Sequence, residues 1–113
     1  MREVGIGLSR HRCDIMVLTN KSVWLIEVKR ALNYEAIGQV LFYRYLLLKN
    51  MRREGGKTLL DVFVREIGRE VKRTFDVTGK EARVGIAYEE GNTDLLMFCR
   101  EFGIATFRVA IPS

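Results

Sequence analysis

The apolar positions change period several times along the chain, and each change marks an element. Cys13 to Leu18 is short, apolar and partly β-branched, which reads as a strand. Ser22 to Lys29 is a second strand, rich in Val, Trp and Ile. Asn20-Lys21 between them suits a tight turn, because Asn tolerates positive φ. The two strands therefore predict a hairpin, entered through a short small-residue segment, Gly5 to Leu8. From Tyr34 to Lys49 the period becomes helical, with Ile37, Val40, Leu41, Tyr45 and Leu48 at helix spacing. Arg52 to Gly56 is a charged, glycine-rich break. Thr58 to Phe75 is expected to be a second helix, with Leu60, Phe63, Val64, Ile67 and Val71 on one stripe. Thr78-Gly79-Lys80 predicts a turn and Ala82 to Tyr88 a strand. Thr93 to Phe102 predicts a helix, with Asn92, Thr93 and Asp94 as cap candidates and Gly103 placed to end it. Ile104 to Ile111 closes the chain as a strand. A strand, helix and strand of this length imply a parallel crossover. The sum is an α/β fold: a central mixed β-sheet with an N-terminal β-hairpin and flanking helices.

Size and composition narrow the picture. The 113 residues suffice for one compact domain, spanning 1–113, and are too few for two. A content of 48% hydrophobic and 29% charged residues is that of a globular chain. The formal charge of +5 favours polyanions such as nucleic acid or an anionic membrane surface. No apolar run approaches the ~20 residues that span a bilayer. Arg2, Glu3, Arg10, His11 and Arg12 interrupt any leader core, so a cytoplasmic protein is expected. Two cysteines, Cys13 and Cys99, and one histidine, His11, are too few for a zinc site of Cys and His. The thiols are expected to be free and buried.

The hairpin carries the candidate chemistry. With the loop centred on Asn20-Lys21, facing residues have numbers that sum to 41. Leu18 then faces Val23, Met16 faces Leu25, Asp14 faces Glu27 and Arg12 faces Lys29, all on one side of the sheet. Two acids set side by side repel, and a fold built only for stability avoids the arrangement. A divalent cation resolves the conflict, because hard oxygen ligands suit Mg²⁺ or Mn²⁺. Such an ion activates water and stabilises charge on a scissile phosphate. Lys29, two residues beyond Glu27, is placed to assist the water or the developing charge. The carbonyl of Val28 is a further candidate ligand.

The run Arg12-Cys13-Asp14-Ile15-Met16-Val17, followed by Ile26-Glu27-Val28-Lys29, resembles the PD-(D/E)xK nuclease superfamily. Gly38-Gln39-Val40-Leu41-Phe42-Tyr43 extends the likeness, because it resembles the Q-x-x-x-Y signature of the RecB-like branch. The resemblance covers Arg12 to Leu48 and implies a restriction-endonuclease-like core. It implies a Mg²⁺-dependent (or Mn²⁺-dependent) endonuclease that hydrolyses phosphodiester bonds in DNA. Asp14, Glu27 and the Val28 carbonyl would hold the metal, and Lys29 would act on the water or the charge. Gln39 would order water or phosphate, and Tyr43 would support the DNA backbone. The family usually opens with a helix that adds an acid; here Glu3 is the sole upstream acid and the candidate extra ligand. Arg10, Arg12, Arg30 and Arg44 are the candidate phosphate contacts, which position a duplex without specifying its sequence. A homodimer with two sites, acting on duplex or branched DNA, follows from the likeness to Holliday-junction resolvases. The rival readings are an inactive nuclease-fold protein that only binds nucleic acid, and a non-catalytic interaction domain.

Overall fold

The computed structural model describes residues 4–6 and 12–110. Its elements are β1 (Val4–Ile6), β2 (Arg12–Cys13), β3 (Ile15–Leu18), β4 (Ser22–Ala31), α1 (Tyr34–Asn50), β5 (Met51–Glu54), β6 (Lys57–Glu66), β7 (Arg69–Asp76), β8 (Glu81–Glu90), α2 (Thr93–Glu101) and β9 (Ile104–Arg108). The described residues form an α/β fold with a mixed sheet and two helices. That sheet has the order β3-β4-β8-β9. Its β3–β4 pair is antiparallel, whereas β4–β8 and β8–β9 are parallel. A second, antiparallel sheet runs β2-β1-β6-β5, with β7 also paired to β6.

The hairpin register is the expected one. Ile15 pairs with Ile26, Met16 with Leu25, Val17 with Trp24 and Leu18 with Val23. The turn, however, is closed by Thr19 rather than by a left-handed Asn20. Thr19 N–H donates to the Ser22 carbonyl at 2.9 Å, and the Thr19 hydroxyl accepts from Ser22 N–H at 2.9 Å. The long pairing of β4 with β8 sets Val23 beside Ala82, Leu25 beside Val84, Glu27 beside Ile86 and Lys29 beside Tyr88. Alternation then gives one face to Val23, Leu25, Val84, Ile86 and Ile104, all buried. α1 packs on β4 and β8 and also meets β1, β5 and β6. Its buried stripe is Ala36, Ile37, Val40, Tyr43, Leu46 and Leu47. The Asn33 side chain caps it by accepting from Ala36 N–H at 2.8 Å. Asn92 does the same for α2 through Leu95 N–H at 3.1 Å, and Gly103 follows with a φ of +71° as the expected terminating glycine.

The second predicted helix is a correction. Residues 57–76 form the β6–β7 hairpin, with Glu66 opposite Arg69. The helical stripe formed by Leu60, Phe63, Val64, Ile67 and Val71 competes with a period of two, and the period of two wins. Leu60 and Val62 are fully buried, while the alternate residues Asp61 and Phe63 are only half-buried. The turn residues Ile67 and Gly68 both have positive φ, at 49° and 74°, as a two-residue hairpin turn requires. The break at Arg52 to Gly56 is likewise a hairpin, turned at Gly55 and Gly56 with φ of 59° and 79°. Val4 to Ile6 forms a strand where the sequence suggests only an entry segment. No helix among the described residues is long and apolar enough to cross a membrane.

Candidate metal centre

Asp14 occupies a bend between β2 and β3, and this break builds the site. Upstream of it the chain leaves β4: Cys13 pairs with Val4, and Arg12 with Gly5. Arg12 therefore takes its ladder partner from β1, which corrects the expected Arg12–Lys29 pairing. The departure leaves the β4 backbone without a neighbouring strand on that side beyond Ile26 among the described residues. The Asp14 side chain fills the gap, with Oδ2 accepting from Val28 N–H at 2.8 Å. Glu27 reciprocates weakly, with Oε1 accepting from Asp14 N–H at 3.4 Å. The two acids thus face each other, and each ties one carboxylate oxygen to the other strand's backbone.

Cys13 holds the bend from inside, a role that sequence reasoning misses. It is fully buried, and its Sγ–H is shared between the carbonyls of Ile15 and Ile26, both at 3.3 Å. Burial pushes this thiol up to about 12, and the Glu27 and Asp14 charges add to the effect. It is a packing residue and not a nucleophile. The one hint in the sequence is a small apolar side chain directly before the acid. Cys99 is also a free, buried thiol, as expected.

Glu27 is the electrostatic centre. Only 5% of it is exposed. Burial, a side-chain hydrogen bond with Asp14 and the Asp14 charge raise its carboxyl from the ordinary 4.5 to about 7. The Lys29 ammonium pulls in the opposite direction, so it lies close enough to act on the same carboxylate. In the absence of a cation, a proton on Glu27 relieves the repulsion.

The donor set fits a hard divalent ion. Asp14 and Glu27 each retain a second oxygen. Val28 N–H points toward Asp14, and in an extended strand the carbonyl of the same residue points to the same edge. No cluster of three His, Cys, Asp or Glu side chains gathers among the described residues, which offer two carboxylates and a carbonyl here. An ion held this way keeps several waters, as Mg²⁺ commonly does.

The remaining candidates divide. Gln39 lies on α1, and its Oε1 is shielded from solvent without a hydrogen-bond partner among the described residues. A buried amide oxygen in that state calls for a donor. Tyr43 is 4% exposed and belongs to the core. It supports the packing of α1. Arg30 is exposed at the end of β4, but strand alternation points it to the face opposite Glu27 and Lys29. Arg44 Nη1 donates to the Phe102 carbonyl at 3.1 Å, tying α1 to the end of α2. Glu3 and Arg10 lie outside the described residues, and so does the Arg12 side chain.

Compared with family models, with curated proteins and with solved structures, the chain matches none.

Proposed function

We propose that the chain is a metal-dependent DNA endonuclease with a restriction-endonuclease-like core, its site formed by Asp14, Glu27 and Lys29. The observation that carries this reading is the buried Glu27 carboxyl held against Asp14 with an ammonium two residues away. That arrangement is costly unless a cation or a proton balances it. Asp14, Glu27 and the Val28 carbonyl would bind Mg²⁺ or Mn²⁺. When bound, the ion supplies an activated water and offsets charge on the attacked phosphate. Glu27 must lose its proton to serve as a ligand, which ties activity to pH. Lys29, on the same sheet face as Glu27, places positive charge where the phosphate oxygens gain negative charge. The Asp14–Val28 hydrogen bond fixes one carboxylate before substrate arrives, so less ordering is left to the reaction.

The experiment is a cleavage panel on duplex, single-stranded and branched DNA, with Mg²⁺ or Mn²⁺, run beside Glu27→Gln and Lys29→Ala. The expected result is metal-dependent cutting that both substitutions reduce at least a hundredfold, and that declines as pH falls below about 7. Cutting that both variants retain would refute the assignment. Salt-sensitive DNA binding without cutting by the parent protein would favour the inactive, binding-only reading.

A further inference from the structure

β9 is an edge strand. One side pairs with β8, and no described strand pairs with the other. Val109 N–H donates to the Tyr88 carbonyl at 2.8 Å, which fixes the parity of the ladder. Backbone groups alternate sides in a parallel pair, so those of Ile104, Thr106 and Arg108 point to the open edge. Unpaired edge groups of this kind are a template for another strand.

The edge is bordered by a groove. A cavity of about 520 Å³ lies between α2 and β9, lined by Thr93, Leu96, Met97 and Arg100 from the helix and by Ile104 and Thr106 from the strand. The volume is in the range of ligand sites, ~300–1,000 Å³. Met97 is 61% exposed although it is a large apolar side chain, so its surface is free for a ligand. Arg100 is exposed and has no ion-pair partner among the described residues; it is the charged residue of the lining. Arg108 adds a second exposed cation at the end of the same strand.

A free strand edge beside a helix selects an extended chain, because main-chain pairing supplies affinity and alternate side chains enter the groove. The charges select its chemistry. We propose that the β9 edge and the α2 groove bind an extended segment of a partner protein, added as a further strand and carrying an acidic side chain that pairs with Arg100. Its apolar residues, at every second position, pack on Leu96 and Met97. This surface is separate from the carboxylate pair and does not depend on the reading of that site.

The test is selection of a randomised octapeptide library on the intact protein, followed by fluorescence anisotropy of the selected peptides. The expected result is enrichment of alternating apolar residues with one Asp or Glu. Arg100→Gln should weaken binding roughly tenfold or more, the scale of one charge-assisted hydrogen bond. Met97→Lys should weaken it by a comparable factor, with unchanged circular dichroism. N-methylation of the peptide at alternate amides should abolish binding in one parity and spare it in the other. Asp14→Ala should bind these peptides as the parent does. No enrichment, enrichment of basic peptides, or indifference to the parity of N-methylation would overturn the proposal. So would a dimer that Met97→Lys dissociates, because a second copy would then occupy the edge.

Discussion

Glu27 couples the protonation of one side chain to the stability of the whole fold. Its folded value of about 7 lies above the ordinary 4.5, so the folded chain holds this proton more tightly than the unfolded chain does. The stabilisation from that proton is complete below about 4.5 and is lost as pH rises to about 7; above that this group adds no further change. Because a tenfold difference in proton affinity is worth ~1.4 kcal/mol, the loss is at most on the order of 3–4 kcal/mol. The metal-free protein is therefore expected to melt several degrees lower at pH 8 than at pH 5. Glu27→Gln should flatten that slope and melt higher than the parent at pH 8 in the presence of chelator. Differential scanning calorimetry across pH checks both outcomes. A parent that melts at the same temperature throughout would remove the electrostatic conflict from the account. The acids and their mutual facing are legible in the sequence because an even-length turn fixes the register, and the ladder from Leu18 to Ile15 keeps it. The bend at Asp14 is not legible. It depends on β2 leaving for β1, and β1 is held by β6 through a long-range pairing, Val4 opposite Val64, that no local pattern encodes.

At the scale of elements, the β6–β7 turn carries a strain that can be removed. Ile67 is fully exposed, yet it adopts a φ of 49°, where a β-branched side chain crowds the backbone. For an L-residue this conformation costs roughly 1–2 kcal/mol. Ile67→Asn should raise stability by about 1 kcal/mol, because Asn tolerates the conformation and no packing is lost. Chemical denaturation checks it: a higher midpoint with an unchanged slope is expected, and a lower midpoint would mean that the turn differs. The same residue explains why the sequence pattern points to a helix here. An Ile at a left-handed turn position hides the usual Asn-Gly signal, and the apolar residues around it meet the helical spacing as well as the alternating one. α1 and α2 are legible to within a residue or two: helical spacing of apolar residues marks α1, and α2 has Asn92 at its start and Gly103 just past its end. Replacing the Asn33 cap by Ala should cost about 1 kcal/mol, read in the same denaturation experiment.

Over the whole molecule, part of the positive charge behind the net +5 is already paired with acids. Arg52 pairs with Glu54 and Asp61, and Lys72 lies 3.8 Å from Asp61. These residues of the second sheet are partly neutralised where they stand. Under the nuclease reading, DNA binding should weaken steeply with salt, and the slope of log affinity against log salt counts the phosphates contacted. Arg52→Ala should leave that slope nearly unchanged. A slope reduced by a whole phosphate contact would place the duplex across β5 and β6 instead.

The most direct measurement is calorimetric titration of Mn²⁺ at pH 6.5, in two buffers of different ionisation enthalpy. At that pH Glu27 is largely protonated, so a bound ion must displace its proton. The expected result is one ion per chain, release of a substantial fraction of one proton per ion, and no binding to Glu27→Gln. Binding that releases no proton, or that survives Glu27→Gln, would contradict a site built on Asp14 and Glu27.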